Sequence, residues 1–422
     1  MKKVLIITSH YPPSNLAGVH RSRLFAQHLP SFGWDPIILT VHEDFYEEKL
    51  DWNLFSLLPS NQRIEKVNAF NITKPRLIGD IGLRAFIQFR NKALELIKSE
   101  RIDFVYIPIP SFYLGILGRY LNYKTGVKYG IDYIDPWVHI FPGSEKIFSR
   151  HWFTTKIAKI LEPIAVKEAS LITGVAEGYY QGVLSRIPGL KNTCIFGSMP
   201  YGGEIMDHEL AISLNLSPYL FQKNSKFQLV YAGAMLPKAY ELLEVIFSEI
   251  SNHKTKFEHI EFHFIGTGKT PNDAYGFNIK PLAQKYGLWE TIIFEYPQRI
   301  PYLDVLVHLN AAESIFILGS TEPHYSPSKV YQAVLSNKKL YALLHKESTA
   351  VNFIENLGIG SVLTFDLDSG IEKIRQYFVG SFFEFINSNS KQFKNNINQK
   401  QFSEYSAKSV TKKLADFLDS LF

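Results

Sequence analysis

Cysteine is almost absent from this sequence, because Cys194 is the only one in 422 residues. A disulfide framework and a cysteine-rich metal site are therefore excluded. The thirteen histidines show no metal-ligand spacing such as H-E-x-x-H, so we predict no metal site. The net charge is only +5, and no run of five or six basic residues or RNA-binding signature occurs. We therefore predict no nucleic-acid partner.

Long apolar runs are also missing. The run at residues 4–8 is below the ~7–15 residues of a signal peptide, and it leads into two prolines. No segment approaches the roughly 20 apolar residues of a transmembrane helix. These absences predict a cytoplasmic protein. The mild positive charge leaves room for attraction to anionic substrates or to an anionic membrane surface.

Short apolar runs are frequent, and they alternate with helical patterns. A hydrophobic content of 46% and a charged content of 20% are typical of globular domains. In the first half, helical patterns near 18–31, 82–100, 111–123, 154–169 and 176–186 separate the strand candidates. These predicted strands are residues 3–8, 36–41, 104–109, 127–132, 171–173 and 193–196. Such alternation predicts βαβ crossovers and a parallel sheet.

The alternation stops at the Gly-rich residues 197–203 and restarts after a polar stretch that ends near residue 225. The second set of predicted strands is 227–233, 260–266, 291–296, 314–319, 339–345 and 361–365. We therefore predict two α/β domains, residues 1–198 and 199–400, with a C-terminal helix in 401–422. Ligands of open parallel sheets bind at the carboxyl ends of the strands.

The first such end carries the loop HYPPSNLAGVHRSR, residues 10–23. Gly18 allows close approach of a ligand, and Arg21 adds a fixed positive charge beside a helix N-terminus that attracts phosphate. Only one glycine is present, so the G-x-G-x-x-G dinucleotide fingerprint is not supported. The alternative is an ordinary long loop between a strand and a helix.

The second domain repeats this design. YAGAMLPK places Gly233 and Lys238 after an apolar strand, and HFIGTG ends another strand with Gly266 and Gly268. In YSPSKVYQ, Ser326 and Pro327 favour a helix start and put Lys329 in the first turn. A cation there opposes the helix dipole, which is reasonable if an anion binds. The alternative is a solvated surface lysine.

A carboxylate pair follows a strand of the first domain. The segment IDYIDPWVH places Asp132 and Asp135 at the ligand-binding edge. Asp135 is suited to accept a proton or orient a hydroxyl group. Alternatively, it caps the Asp-Pro-Trp turn and has only a structural role.

In order and spacing, these segments resemble a GT-B glycosyltransferase, close to the retaining enzymes of glycosyltransferase family 4. The resemblance covers nearly the whole chain. Its segments are KVLIITSHYPPSNLAGVHR, FGWDPIILT, DYIDPW, EPIAVKEASLITGVAEGYY, MPYGGE, LVYAGAMLPK, FHFIGTG, YPQRIPYLDVLVHLNAAESIFIL and YSPSKVYQAVLSNKKLYALL. It implies two Rossmann-like domains facing a cleft, with the C-terminal helix packing back on the first domain.

The resemblance also implies roles for residues. The second domain would hold a sugar-nucleotide donor, and the first a hydroxyl acceptor such as a lipid-linked glycan, without a metal or other cofactor. The implied catalytic residues are Asp135 beside the acceptor, with Lys238 and Lys329 on the diphosphate. The implied donor-binding residues are Gly18, Arg21, Gly233, Gly266, Gly268, Tyr296, Arg299, His324, Ser328 and Gln332.

The sequence departs from the family at three positions of the implied donor site. Gln332 replaces the second glutamate of the family's E-x7-E motif, His324 occupies the place of the first, and Ala234 replaces an arginine. We expect a retaining transferase of bacterial surface polysaccharide or glycolipid synthesis. The alternatives are an inactive GT-B shell with a binding role and a GT-B-like sugar-nucleotide epimerase. Residues 112–121 suit either docking to a membrane or a buried helix.

Overall fold

The computed structural model describes residues 1–76, 78–138, 146–270, 272–323, 325, 327–366, 370–388 and 402–422. The chain forms two compact units. The first unit contains Met1–Tyr201 together with Ala407–Phe422, and the second contains Gly202–Ser406.

The first unit is built on a parallel sheet. Its strands within the described residues are β1 (Lys2–Ile7), β2 (Trp34–Val41), β3 (Arg63–Val67), β4 (Phe104–Ile109), β5 (Lys128–Tyr133), β6 (Leu171–Gly174) and β7 (Ile195–Ser198). They lie in the order β3-β2-β1-β4-β5-β6-β7, and every neighbouring pair is parallel. All carboxyl ends therefore lie at one edge of the sheet.

Helices connect these strands. They are α1 (Ala17–His28), α2 (Ile81–Arg84), α3 (Phe86–Glu100), α4 (Leu114–Thr125), α5 (Arg150–Val166) and α6 (Glu177–Arg186). Short 3-10 helices span Leu29–Phe32, Glu43–Phe45, Trp52–Leu57 and Pro188–Asn192. Alternate residues of β1 are buried on opposite faces of the sheet, because Leu5 and Ile7 belong to one apolar cluster and Val4 and Ile6 to another.

The second unit has the same design. Its strands are β8 (Phe227–Ala232), β9 (Ile260–Ile265), β10 (Ile293–Tyr296), β11 (Ser314–Leu318), β12 (Lys339–His345) and β13 (Gly360–Phe365). The order is β10-β9-β8-β11-β12-β13, again parallel throughout. Its helices are α7 (Ile205–Ser213), α8 (Tyr240–Asn252), α9 (Lys254–Phe257), α10 (Lys280–Lys285), α11 (Tyr302–Ala311), α12 (Lys329–Leu335), α13 (Thr349–Leu357) and α14 (Glu372–Asn387), with a 3-10 turn at Pro237–Ala239.

The C-terminal helix α15 (Ala407–Asp419) belongs to the first unit. Val410, Leu414 and Leu418 of this helix are buried in the cluster that contains Val4 and Phe25. Its amphipathic pattern therefore buries an apolar stripe against the first sheet layer. The predicted return of the chain to the first domain is confirmed.

Three features differ from the sequence predictions. Strand β3 was not predicted, because only Val67 of its five residues is buried and the edge position leaves no apolar run. Helix α7 occupies the stretch that we predicted to be an irregular linker. Helix α12 begins at Lys329, with Ser328 at the N-cap and no side-chain cap bond, whereas the predicted cap Ser326 lies outside the described residues.

Residues 112–121 form the start of α4 rather than a docking surface. Leu114, Leu117 and Leu121 are fully buried in the core of the first unit. The buried-helix alternative is therefore correct for this segment. Among the described helices, none is long and apolar enough to cross a bilayer.

Candidate functional site

The carboxyl edge of the second sheet brings Gly233 and Lys329 together. Gly233 follows β8, and its N–H donates to the carbonyl of Ile265 at 2.8 Å. Its φ of +122° lies in the region that favours glycine. A Cβ atom at this position would lie only 3.2 Å from Lys329 Nζ. The lysine nitrogen therefore packs against the backbone of Gly233, on the side where any other residue would carry its Cβ atom.

The Lys329 ammonium group has no partner among the described residues. Its Nζ is buried without a hydrogen bond, although the rest of the side chain is partly exposed. The nearest group of opposite character is the ring of Tyr231, whose centroid is 3.6 Å away. Burial lowers the pKa of Lys329 to about 7. A buried ammonium without an acceptor is unfavourable in the free protein and is well prepared to receive an anion.

Lys238 lies at the same edge, in the 3-10 turn that follows Gly233. Its Nζ is 3.4 Å from Glu322 Oε1, and the side chain is 40% exposed. The N–H of Thr321 donates to the Lys238 carbonyl at 3.3 Å. These contacts join the loops that follow β8 and β11. Lys238 is thus a paired, accessible cation, in contrast to Lys329.

The glycines after β9 permit close contact with the next loop. Gly266 has a φ of +72°, and a Cβ atom on it would be 3.8 Å from the Cα atom of Arg299. At Gly268, a Cβ atom would lie 2.6 Å from the carbonyl oxygen of Pro297, which accepts a hydrogen bond from the Gly268 N–H. Gly268 is therefore required by this close packing, whereas Gly266 is favoured by its positive φ. Arg299 is partly buried in the adjoining loop.

The Tyr296 hydroxyl, on an implied donor-binding residue, contacts the neighbouring strand. It lies 3.2 Å from Nδ1 of His263 in the neighbouring strand, and burial raises the pKa of Tyr296 to about 12. The hydroxyl group is engaged within the protein. Any contact of Tyr296 with a base would therefore involve the ring or the backbone.

Sequence reasoning missed Glu295, the buried carboxylate that fixes this region. One oxygen accepts hydrogen bonds from the Thr267 hydroxyl at 3.0 Å and from the Asn278 N–H at 2.9 Å. The other accepts from the N–H groups of Ile279 and Lys280 at 2.9 and 2.8 Å. Glu295 therefore ties the loop at residues 266–268 to the start of α10. Its only sequence signal is a carboxylate in an otherwise apolar strand.

Gln332 and Ser328 flank Lys329 in sequence. The amide oxygen of Gln332 lies 3.1 Å from Nε2 of His208 in α7, and burial lowers the pKa of His208. The histidine is therefore a neutral donor to the amide. Ser328 is partly exposed at the helix start. His324 lies outside the described residues.

Arg21 is buried in the first unit, and its guanidinium group is engaged by protein acceptors. Its Nε and Nη2 donate to the two carboxylate oxygens of Asp132 at 2.5 and 3.0 Å. Its Nη1 donates to the carbonyls of Met199 and Pro200, and the side chain is 1% exposed. Burial opposes the charge, but Asp132 outweighs it and raises the pKa of Arg21. Arg21 is therefore a paired structural cation in the first unit, and its contact with a donor phosphate stays a prediction.

Gly18 and Asp135 lie at the carboxyl edge of the first sheet. Gly18 is in the first turn of α1, where a Cβ atom would make ordinary contacts of 3.5 Å with Ile134 and Pro110. The local structure therefore does not require glycine at this position. Asp135 is exposed, two residues after β5 ends.

A second group that the sequence analysis did not single out lies in the loop after β1. The Nδ1 atom of His10 is 3.0 Å from the Ser9 hydroxyl, and its Nε2 is 3.8 Å from Glu48. The ring of Tyr46 packs at 4.9 Å. Burial lowers the pKa of His10 against the opposing effect of Glu48. Glu48 is distant from His10 in the sequence, so local sequence patterns do not reveal this contact.

Comparison with known proteins gives the fold a wider context. No protein-family model matches the chain. No curated protein sequence is significantly similar to it. Among solved structures, sucrose-phosphate synthase from Thermosynechococcus elongatus has a TM-score of 0.64 at 12% identity, covering 100% of this chain and 99% of that one.

Two further structures are similar over the whole chain. HepE from Anabaena, solved in complex with UDP, has a TM-score of 0.60 at 12% identity and full coverage of both chains. A putative UDP-N-acetylglucosamine 2-epimerase from Listeria monocytogenes has a TM-score of 0.54 at 10% identity, covering 100% of this chain and 97% of that one. At these identities the likeness establishes the fold. With its two parallel α/β units, the chain has the predicted GT-B fold.

Proposed function

We propose that this protein is a glycosyltransferase that takes its sugar from a nucleotide diphosphate. The observation that carries the proposal is the buried ammonium of Lys329, which lies against the backbone of Gly233 and has no hydrogen-bond partner within the described part of the chain. A diphosphate oxygen at this point would supply the missing hydrogen-bond acceptor. It would also raise the pKa of Lys329 and fix the amine in its charged form.

The same contact would serve catalysis. Charge grows on the diphosphate as its bond to the sugar breaks, and a fixed cation in a water-poor site stabilises that charge. Lys238 would add a second, solvent-screened cation after a small change in its contact with Glu322. The two lysines would thus supply the positive charge on the diphosphate even though Ala234 replaces the family's arginine. The expectation that no metal takes part stays a prediction.

The other proposed donor contacts come from residues in the loops at the same edge of the second sheet. Gly266, Gly268 and Arg299 lie in the two loops beside β9 and β10, where a nucleoside would find backbone groups. The amide of Gln332 would donate its N–H to a ribose hydroxyl, since His208 already donates to its oxygen. Ser328 and His324 belong to the same segment.

The acceptor hydroxyl would bind at the carboxyl edge of the first sheet. Asp135 is an exposed carboxylate at the sheet edge that also carries Gly18 in the first turn of α1, and it would orient an acceptor hydroxyl. UDP-sugars are the first donors to test, because HepE was solved with UDP and with UDP-glucose. A retaining transfer of a hexosyl or related group to a hydroxyl of a surface polysaccharide or lipid-linked glycan remains our proposal for the reaction.

Donor binding is tested first by thermal unfolding with UDP-, dTDP-, GDP- and ADP-sugars. A ligand that binds only the folded protein raises its midpoint, by mass action. We expect one nucleotide class to stabilise the wild type and to have little effect on Lys329→Met. The exposed Lys191→Met is the matched control and should respond like the wild type. If no sugar nucleotide shifts any variant, the inactive-shell alternative replaces the proposal.

Turnover is tested by NMR of the stabilising donor. Release of nucleoside diphosphate together with a free or transferred sugar supports a transferase. A changed sugar that remains attached to its nucleotide would favour the epimerase alternative, which the likeness to the putative epimerase makes worth separating.

A further inference from the structure

Helix α5 carries a stripe of apolar side chains that are exposed in the described part of the first unit. Phe153, Ile157, Ile160 and Ile164 are all exposed, the most exposed being Ile160 at 65%. At 3.6 residues per turn they lie within about 60° of one another around the helix. The opposite side carries Ala158, Glu162 and Ala165, which are buried. The stripe is therefore a second apolar face, additional to the one that packs in the core.

The stripe continues into the segment before the helix. Ile147 and Phe148 are 68% and 77% exposed, and Phe148 has a φ of +64°, which is unusual for a bulky residue. The Phe148 ring lies 5.7 Å from Trp152 and 6.2 Å from Phe153. Three aromatic rings thus cluster at the N-terminal end of the apolar stripe. A soluble surface rarely exposes so many large apolar groups side by side.

The charges along the stripe are mostly positive, although the exposed Glu168, which pairs with Arg119, follows it directly. Residues 146–167 contain four lysines and one arginine against a single glutamate. The lysines are exposed, and Lys156 lies 5.5 Å from the ring of Trp152. The glutamate, Glu162, is buried and paired with Arg186. The solvent-facing side of this segment therefore presents basic and apolar groups together.

We propose that the α5 face, defined as residues 146–167, docks onto an anionic lipid surface. A convex helix that combines apolar side chains, aromatic rings and flanking lysines fits the boundary between headgroups and acyl chains. The lysine stems extend along the apolar layer while their ammonium groups contact lipid phosphates. A second copy is disfavoured as the occupant, because the same positive charges would face each other. This proposal does not rest on the proposed catalytic function.

The test uses the full chain and vesicles of phosphatidylcholine alone or mixed with phosphatidylglycerol. We expect co-sedimentation with the anionic vesicles at least about tenfold stronger than with the neutral ones, and weakening as salt rises. The double variant I157S/I160S should bind about tenfold or more weakly, because both side chains lose their insertion into the apolar layer. The variant K156E/K159E should lose the preference for anionic vesicles.

The matched control is I205S/I212S, which removes two exposed isoleucines from helix α7. It should bind vesicles like the wild type. All variants change exposed residues, so their unfolding midpoints and their sugar-nucleotide responses should match the wild type. Equal vesicle binding by I157S/I160S and wild type would overturn the proposal, as would a lack of any anionic preference. Light scattering that shows a dimer which I157S/I160S abolishes would assign the face to a second copy instead.

Discussion

Arg21 in the first unit and Lys329 in the second each hold a buried cationic group near the carboxyl edge of a parallel sheet, and the surroundings of these two groups are opposite. Arg21 in the first unit donates to both oxygens of Asp132 and to two backbone carbonyls. Lys329 in the second unit has an aromatic ring nearby and no hydrogen-bond acceptor among the residues that the structure describes. Both positions follow from similar βα loops, so the topology alone does not distinguish them.

The difference separates a structural charge from an available one. A buried cation whose donors are satisfied stabilises the surrounding chain and has nothing to offer a ligand. A buried cation whose donors are unsatisfied is unfavourable until an anion arrives. The comparison therefore predicts that removing the two charges will change protein stability in opposite directions.

The largest effect is expected for Arg21→Met. This change leaves the Asp132 carboxylate buried without its partner, with the Thr173 hydroxyl as one remaining donor. We expect a loss of about 3–5 kcal/mol in the free energy of unfolding, measured by urea denaturation. The control Arg119→Met removes the partner of Glu168, a carboxylate whose side chain is half-exposed. It should change the free energy of unfolding by less than about 1 kcal/mol. Similar small losses for both variants would mean that Arg21 is not a structural cation.

Lys329→Met should have the opposite sign. An apolar side chain of similar length removes an unpaired buried charge, and we expect a gain of about 1–3 kcal/mol in the free energy of unfolding at neutral pH. In calorimetry the same variant should lose about 2 kcal/mol of UDP binding, the scale of a hydrogen bond to a charged group. A destabilised variant would show that the ammonium has a partner within the folded chain.

The pH dependence of Lys329 provides a third test. Its pKa is about 7 in the folded protein and has the ordinary lysine value of about 10.4 in the unfolded chain. Between these values the unfolded state binds more protons, so the stability of the wild type should rise with pH relative to Lys329→Met. The burial penalty is fully present below pH 7 and absent above about pH 10.4.

Diphosphate binding should show the complementary trend. An anion requires the protonated amine, so UDP affinity should fall as pH rises above about 7, by up to tenfold per unit while the bound amine stays charged. Calorimetry in buffers with different ionisation enthalpies should detect proton uptake on binding. A flat profile with no proton uptake would separate Lys329 from the diphosphate.

The sequence predicted the sheets well and the site only in outline. Buried parallel strands are continuous apolar runs, so all described strands except β3 were predicted from the pattern of apolar runs. The loops that follow them were also found, because their position at the strand ends is a property of the fold. Lys329 and Gly233 were both singled out in this way.

The partners of these residues were not predictable from local patterns. Asp132 lies 111 residues after Arg21, and the pair forms only because β5 and α1 meet in the folded unit. Glu295 is likewise invisible until the start of α10 is placed over it. Sequence spacing indicates which residues share an edge, whereas the tertiary structure decides which charges are already satisfied.

The smallest effect is expected for Lys238→Ala, and it completes the comparison with a third environment. Lys238 is accessible and paired with Glu322, so its removal should change the free energy of unfolding by less than about 1 kcal/mol. UDP binding should weaken only a few-fold at low salt, because solvent screens an exposed cation. Added salt should remove this difference from the wild type, whereas the loss in Lys329→Met should persist, because a buried charge is screened much less. Equal salt sensitivity of the two variants would mean that Lys329 meets its ligand in open solvent, and burial would then no longer distinguish the two lysines.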